Sequence, residues 1–292
     1  VNTFVLPSYA KLNLLLRIKG RRQDGYHELV TLFERIDLKD ELCFSSRKDG
    51  AVRVACDHPA VPCDSRNLVH KVAVLLRETC GVHAGADIRI RKNIPVAAGL
   101  AGGSSNAACA LTGLNRLWRL GLKRDELVAL AASIGSDVAF FLYDTPWALG
   151  TGRGEKIRAL DLPVRVHHLL ITPRRPLLTK EVYAAYGRVR RRSAALTKAG
   201  SDVRILVRCL QRTDIKTAGE HLANDLERGI SALDPRLLKL KARLQKEPAQ
   251  SGVSFSGSGP SIFALTRTRQ EALELRKKYA RVYGQVFAVA TR

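Results

Sequence analysis

The sequence predicts an α+β fold in two domains. Extended, apolar runs recur at residues 4–18, 29–38, 42–56, 85–91, 164–172 and 253–265. Segments of helical apolar period lie between and after them, at 67–76, 107–118, 123–134, 203–245 and 269–280. A glycine-rich break at 150–155 falls near the middle, so the expected domains are 1–155 and 156–292. A chain of 292 residues, 46% of them hydrophobic, is long enough for two modest domains with real cores.

The first run, 4–18, reads as a strand. Lys11 and Asn13 are polar groups inside it and share one face. Polar side chains among core residues need partners or a ligand. A turn-rich loop at 20–28 then presents Tyr26 and His27. An aromatic beside a histidine can stack on and hydrogen-bond a heterocycle, or serve packing alone. Residues 42–56 read as one alternating strand, 57–66 as a loop of Pro, Asp and Ser, and Asn67 as the opening of a helix.

Residues 92–108 organise the rest. They begin with Lys92 and Pro95, pass through Gly99, Gly102 and Gly103, and reach two hydroxyls, Ser104 and Ser105. Ala107, Leu111, Leu114 and Trp118 then fall on one helix face, with Ser104 or Ser105 as the expected N-cap. A strand, a glycine loop and a helix start form a phosphate cradle, because glycines let amides approach an anion and the helix end adds roughly half a positive charge. Neither the Gly-Lys-Ser/Thr of a P-loop nor the Gly-x-Gly-x-x-Gly of a dinucleotide site is present. The same residues also fit a flexible loop before a core helix.

Asp137 stands at the mouth of an apolar segment after the 123–134 helix. It fits a helix N-cap, and it fits a general base held near the cradle. In the second half, His167 and His168 point to opposite faces of a strand, which makes them poor joint ligands for one metal. Thr179 is a possible helix cap, with Tyr183 one turn on. Asn224 and Glu227 lie among the helices of 203–245. Two strands flank the Gly257-Ser-Gly259 turn, a second candidate anion loop, and the chain closes with a helix at 269–280 and a strand at 284–290.

The chain carries 49 Lys+Arg against 27 Asp+Glu, a net charge of +22. Such excess attracts polyanions without specificity. The densest patch, 188–192, has no interleaved aromatics, so a generally basic surface is expected rather than specific nucleic-acid binding. No run is long enough for a membrane span, and no signal peptide is read at the start. Six cysteines without Cys-x-x-Cys spacing point to reduced thiols in a cytoplasm. For a plant chain the expected compartment is the plastid stroma.

Separated motifs, in order, resemble the GHMP small-molecule kinases. The first covers residues 7–29, with Pro-Ser-Tyr-Ala-Lys-Leu-Asn at its start and Gly-Arg-Arg-Gln-Asp-Gly-Tyr-His-Glu-Leu at its end. The second is the glycine loop, and the third is Ser-Gly-Ser-Gly-Pro-Ser at 256–261. The first motif resembles most closely the branch that phosphorylates a hydroxyl of a cytidyl-diphosphate sugar alcohol. The resemblance implies an N-terminal domain shared with a ribosomal protein, an α/β C-terminal domain, and an active site in the cleft between them.

It further implies that Lys11 and Asp137 are the catalytic pair, with Asp137 taking the acceptor's proton and Asn13 orienting the hydroxyl. Tyr26, His27 and Tyr183 would form a cytosine pocket, with Thr179 lining it. Pro95, Val96, Ala97, Ala98, Gly99, Leu100, Ala101, Gly102, Gly103, Ser104 and Ser105 would hold ATP, with Asn67, Lys92 and Asn106 nearby. Mg²⁺ is implied by ATP chemistry, with Ser104 or Ser105 able to supply one oxygen. Tyr9, Ala101 and Ala139 depart from the family's usual residues, and Ala101 bears on loop geometry because alanine tolerates fewer backbone angles. The expected partners are small molecules, and the expected assembly is a monomer or homodimer. The alternatives are a kinase of the same family acting on another small alcohol, and a basic nucleic-acid-binding protein.

Overall fold

Strands β1 (Thr3–Arg21) and β2 (His27–Arg47) form a long antiparallel hairpin from which the fold grows. The computed structural model describes residues 3–190 and 199–292. Alternation shows only near the ends of β1; its middle, from Ala10 to Leu16, is buried on both faces. Leu12, Leu14 and Leu15 join a cluster shared with the second half of the chain, while Lys11 and Asn13 line a cleft.

The rest of the first sheet comprises β3 (Val52–Cys56), β4 (Gly85–Arg91), β5 (Trp147–Gly152), β6 (Lys156–Leu160) and the short β8 (Ala223–Asn224). β2 forks along one edge. Leu29–Glu34 pair with β5, while Glu41–Arg47 pair with β4. Helices α1 (Leu68–Cys80), α2 (Gly102–Leu117) and α3 (Arg124–Ile134) cover the β4 side, burying Val72, Leu76, Ala107, Leu111 and Leu114 against Phe44, Ile88 and Ile90. A single turn, α4 (Val138–Phe141), packs Phe140 on Phe33.

The second sheet is antiparallel, in the order β11 (Val286–Ala290), β7 (His167–Ile171), β10 (Ile262–Thr266), β9 (Gln250–Phe255). Around it lie α5 (Thr179–Arg190), α6 (Ala199–Gln211), α7 (Ile215–Glu220), α8 (Glu227–Leu233), α9 (Arg236–Leu244) and α10 (Arg269–Ala280). One apolar cluster spans both sheets, joining Leu12 and Leu14 of β1 to Leu170, Leu206, Phe263 and Leu265. Parallel pairing of Leu15 and Leu16 with Ala223 and Asn224 stitches the halves further. So does a buried pair: His168 Nε2 lies 2.9 Å from Glu34, which also accepts from Thr291 Oγ1 at 2.6 Å. His168 is fully buried, while His167, at the start of the strand, is only half-buried.

Several expectations need adjustment. Residues 42–56 are not one strand: β2 ends at Arg47, a turn with Gly50 at φ 69° intervenes, and β3 pairs in parallel with β4. The strand expected at 164–172 begins only at His167. The glycine-rich stretch at 150–155 is the turn of the β5–β6 hairpin, and the chain leaves the first sheet after Leu160. Of the basic patch at 188–192, residues 191 and 192 lie outside the described residues.

Helix α2 starts earlier than the hydroxyls suggest. Its N-cap is Ala101, in a left-handed conformation (φ 55°, ψ 30°) without a side-chain cap. The Ser105 amide already donates to the Ala101 carbonyl at 2.9 Å, so Ser104 and Ser105 sit inside the first turn. An alanine in that conformation carries strain of about 1–2 kcal/mol, and glycine there gives back about 0.5–1 kcal/mol in chain entropy. Ala101→Gly is therefore expected to stabilise the protein by up to about 1 kcal/mol. A denaturant midpoint below that of the parent protein would instead assign the Ala101 methyl a packing role that outweighs the strain.

Candidate active site

A cleft of about 1360 Å³ runs between the glycine loop, the 25–27 loop, the 135–137 and 153–154 turns, the start of α5 and the 257–258 turn. Every side chain assigned above to binding or catalysis lines it, with the exception of Ser105.

Its phosphate side is built on a buried carboxylate. Asp40, fully buried on β2 near the fork, accepts at Oδ1 from the Asn93 and Ile94 amides, both at 2.8 Å. At Oδ2 it accepts from Lys92 Nζ at 2.6 Å and Asn106 Nδ2 at 2.9 Å. Lys92 Nζ also donates to the Ile94 carbonyl at 2.7 Å. Lys92 and Asn106, expected beside the nucleotide, thus brace the chain as it leaves β4. Asn67 likewise caps α1, accepting from the Val69 amide at 2.9 Å, while its Nδ2 donates to the Pro62 carbonyl.

Beyond that brace the loop is tied to the catalytic strand and to the second domain. The Lys11 amide donates to the Leu100 carbonyl at 3.2 Å, and Ser256 Oγ to the Gly99 carbonyl at 2.9 Å. Gly99 has φ 75°, and a Cβ there would overlap the Ser256 carbonyl. Only glycine meets both conditions. The amides of Gly102, Gly103 and Ser104 precede the first helical hydrogen bond, which leaves them for an anion. Ser104 faces the cleft. Ser105 is buried, accepts from Ser8 Oγ at 2.8 Å, and does not line the cleft.

Lys11 is buried, and its Nζ lies 3.4 Å from Asp137 Oδ2. It donates to Asn13 Oδ1 and sits 5.5 Å over the Phe33 ring. Asn13 Nδ2 passes the network on to Thr31 Oγ1 at 2.7 Å. The β1–β2 register shifts on each side of this segment, between Tyr9 and Lys11 and between Asn13 and Leu15. Such bulges re-aim side chains beside sites. Asp137 occupies the residue before α4, yet its carboxylate makes no capping bond and faces Lys11. Its side chain is 31% exposed against 4% for Lys11, so the carboxylate is open to an incoming hydroxyl while the ammonium is enclosed. The Gly257 Cα backs the Lys11–Asn13 pair closely, since a Cβ there would lie 3.2 Å from Asn13 Oδ1 and 3.4 Å from Lys11 Nζ.

The far end of the cleft is aromatic. The rings of His27 and Tyr183 are 5.0 Å apart and tilted by 33°, with Tyr186 edge-on to His27. Burial, then the charge of Asp137, then Tyr186 push the Tyr183 hydroxyl's pKa well up, so it stays neutral. Tyr26 is 56% exposed, with the Arg153 guanidinium 4.9 Å from its ring centre. Thr179 Oγ1 meets Ser258 Oγ at 2.9 Å, joining the start of α5 to the 257–259 turn.

Sequence reasoning assigned no role to Asp40, Ser8, Phe33, Ser256 or Arg153, although Ser8 and Ser256 lie inside the motifs. Asp40 carried no distinguishing signal, because Asp37, Lys39 and Glu41 surround it and only the fold buries it. Arg153 lay in the glycine-rich stretch read as a domain boundary.

Among the described residues no cluster of three or more His, Cys, Asp or Glu side chains could hold a metal.

Comparison with known proteins bears on the family and the fold. Residues 67–145 match the family described as GHMP kinases N terminal domain, and residues 206–285 the one described as GHMP kinases C terminal. A 4-diphosphocytidyl-2-C-methyl-D-erythritol kinase of Nostoc sp. is 37% identical over 296 aligned residues, covering 95% of this chain and 91% of its own. The Bacillus velezensis protein of the same name is 39% identical over 280 residues, covering 96% and 94%. The crystal structure of a 4-(cytidine 5'-diphospho)-2C-methyl-D-erythritol kinase superposes with a TM-score of 0.79 at 30% identity over 98% of each chain. A homoserine kinase from Cytophaga hutchinsonii reaches a TM-score of 0.78 at 20% identity, covering all of this chain and 95% of its own, which speaks for the fold alone. With both halves matched and relatives aligned over nearly its whole length, this chain belongs to the GHMP kinase family.

Proposed function

We propose that this chain transfers the γ-phosphoryl group of ATP to the 2-hydroxyl of 4-diphosphocytidyl-2-C-methyl-D-erythritol. One observation carries the reading: a single cleft joins an anion-binding helix start, a Lys11–Asp137 pair and an aromatic end at Tyr26, His27 and Tyr183. The relatives bearing this substrate's name align across almost the whole chain. Asp137 takes the proton of the acceptor hydroxyl, and the freed oxygen pair attacks the γ-phosphorus. The bond from that phosphorus to the β,γ-bridging oxygen breaks, and ADP leaves. Lys11 pairs with Asp137 and stabilises charge on the transferring group. Bound Mg²⁺ would neutralise charge on the ATP phosphates, with Ser104 able to supply one protein oxygen. No described helix is long and apolar enough to cross a membrane, and the substrates are small and water-soluble.

The test is ADP release from Mg-ATP with a panel of acceptors: the cytidyl-diphosphate compound, mevalonate, homoserine and galactose. Turnover confined to the cytidyl compound supports the reading. Turnover with another acceptor alone removes the cytosine pocket and leaves the cradle. Within the reading, Tyr26→Ala is expected to raise KM for the cytidyl substrate about tenfold and leave KM for ATP near its parent value, since stacking a base on an aromatic is worth about 1–3 kcal/mol. Equal rises in both constants would contradict a base site at Tyr26.

A further inference from the structure

Arg153 sits at the tip of the β5–β6 hairpin, where its guanidinium covers one face of Tyr26 at 4.9 Å. The next residue in that turn, Gly154, is so close to the base that a Cβ on it would lie 3.6 Å from Asp137 Oδ1. The tip therefore borders both the aromatic end of the cleft and the reacting end. Of the other cations lining the cleft, Lys11 is engaged by Asp137, Lys92 by Asp40, and Arg66 by Asp64 on the Asn67 side, while Arg21, Lys180 and Arg188 line it without an ion pair among the described residues; Arg153 is set apart from these by its place against Tyr26 and beside Asp137. Arg153's own acidic neighbour holds it loosely. Its Nε is 3.8 Å from Glu155 Oε2, beyond hydrogen-bond distance, and that oxygen accepts the Arg153 backbone amide at 2.6 Å.

We propose that Arg153 binds the diphosphate of the acceptor and sets the enzyme's preference for a nucleoside diphosphate over an uncharged nucleoside. This rests on the reading above, in which the acceptor's base lies at Tyr26 and its hydroxyl at Asp137. A molecule bound that way must carry its diphosphate across the stretch that Arg153 borders. A diphosphate entering a cleft that already contains the Asp137 carboxylate needs a cation. A guanidinium answers with a planar fork of donors that matches two phosphate oxygens at once. Stacking on Tyr26 aims that fork and couples it to base binding, because one residue supports the other. The glycines flanking Arg153 keep the tip slender enough to lie beside the substrate.

The experiment is calorimetric titration with CDP and with cytidine, under saturating non-hydrolysable ATP analogue so that neither probe occupies the ATP site. The parent protein should bind CDP about 10- to 100-fold more tightly than cytidine, the range expected of charge-assisted hydrogen bonds to phosphate. Arg153→Gln should reduce that preference to a few-fold while cytidine binding changes little, and Arg153→Lys should retain part of it. In kinetics, Arg153→Gln should raise KM for the cytidyl substrate and leave KM for ATP unchanged. Parent-like preference in both variants, with Tyr26→Ala still weakening both probes, overturns the role of Arg153 and leaves the cytosine pocket standing. Failure of the parent protein to bind either probe, together with unaltered acceptor kinetics in Tyr26→Ala, overturns the cytosine reading and Arg153's role with it.

Discussion

Asp137→Asn is expected to lower kcat by about 10²- to 10⁴-fold, the range typical of losing a positioned general base. The amide keeps the size of the carboxylate but cannot accept the acceptor's proton. The surroundings should tolerate it. The Asp137 side chain makes no capping bond to α4, so the turn does not depend on its charge. Lys11 keeps its hydrogen bond to Asn13 and its place over Phe33. Binding of ATP should not weaken, because removing a negative charge near the phosphates reduces repulsion. The measurement is kcat and the Kd for ATP on the same preparation. Turnover within about tenfold of the parent protein would remove Asp137 from the base role and leave it as Lys11's counter-ion alone.

The second large effect lies under the cradle. Asp40→Asn should destabilise the protein by about 3–5 kcal/mol, because it strips the charge partner from a buried lysine. Lys92 and Asp40 have side-chain exposures of only 5% and 0%, so water cannot replace the lost partner. Asp40 is also the acceptor for two backbone amides and for Asn106, and an asparagine can turn only one oxygen toward that set of donors. The loop begins at these same amides, so weaker ATP binding should accompany the lost stability. Adding Lys92→Met to Asp40→Asn should recover part of the loss, since an apolar residue leaves no unpaired charge. Denaturant unfolding of the single and double variants, with ATP titration, makes the comparison. A single variant within about 1 kcal/mol of the parent would mean that Lys92 escapes to solvent when Asp40 is neutral.

Much of the fold was legible because its signals are local. The α2 face of Ala107, Leu111 and Leu114 is visible as a period, and so is the helix read at 269–280. The N-cap at Asn67 followed from residue type and position. Misreadings came where local signals compete. Two serines after a glycine pair look like caps, but the left-handed turn at Ala101 had already started the helix. An alternating run through 42–56 hides a turn, because alternation says which residues share a face and not whether the strand continues.

The candidate site divides along the same line. By itself the sequence determined the kinds of chemistry present: a glycine loop before a helix, a lysine and asparagine out of place in a strand, an aromatic-histidine loop, and motifs whose order marks the family. Only the tertiary structure decided which groups meet. It set Lys11 beside Asp137, turned Lys92 inward to Asp40, closed the Ser256 turn over Gly99, and stacked Arg153 on Tyr26. The reason is physical. Residue type and periodicity are properties of neighbours along the chain, whereas burial, ion pairing and the aim of a carboxylate depend on segments that meet only when both sheets pack around one core.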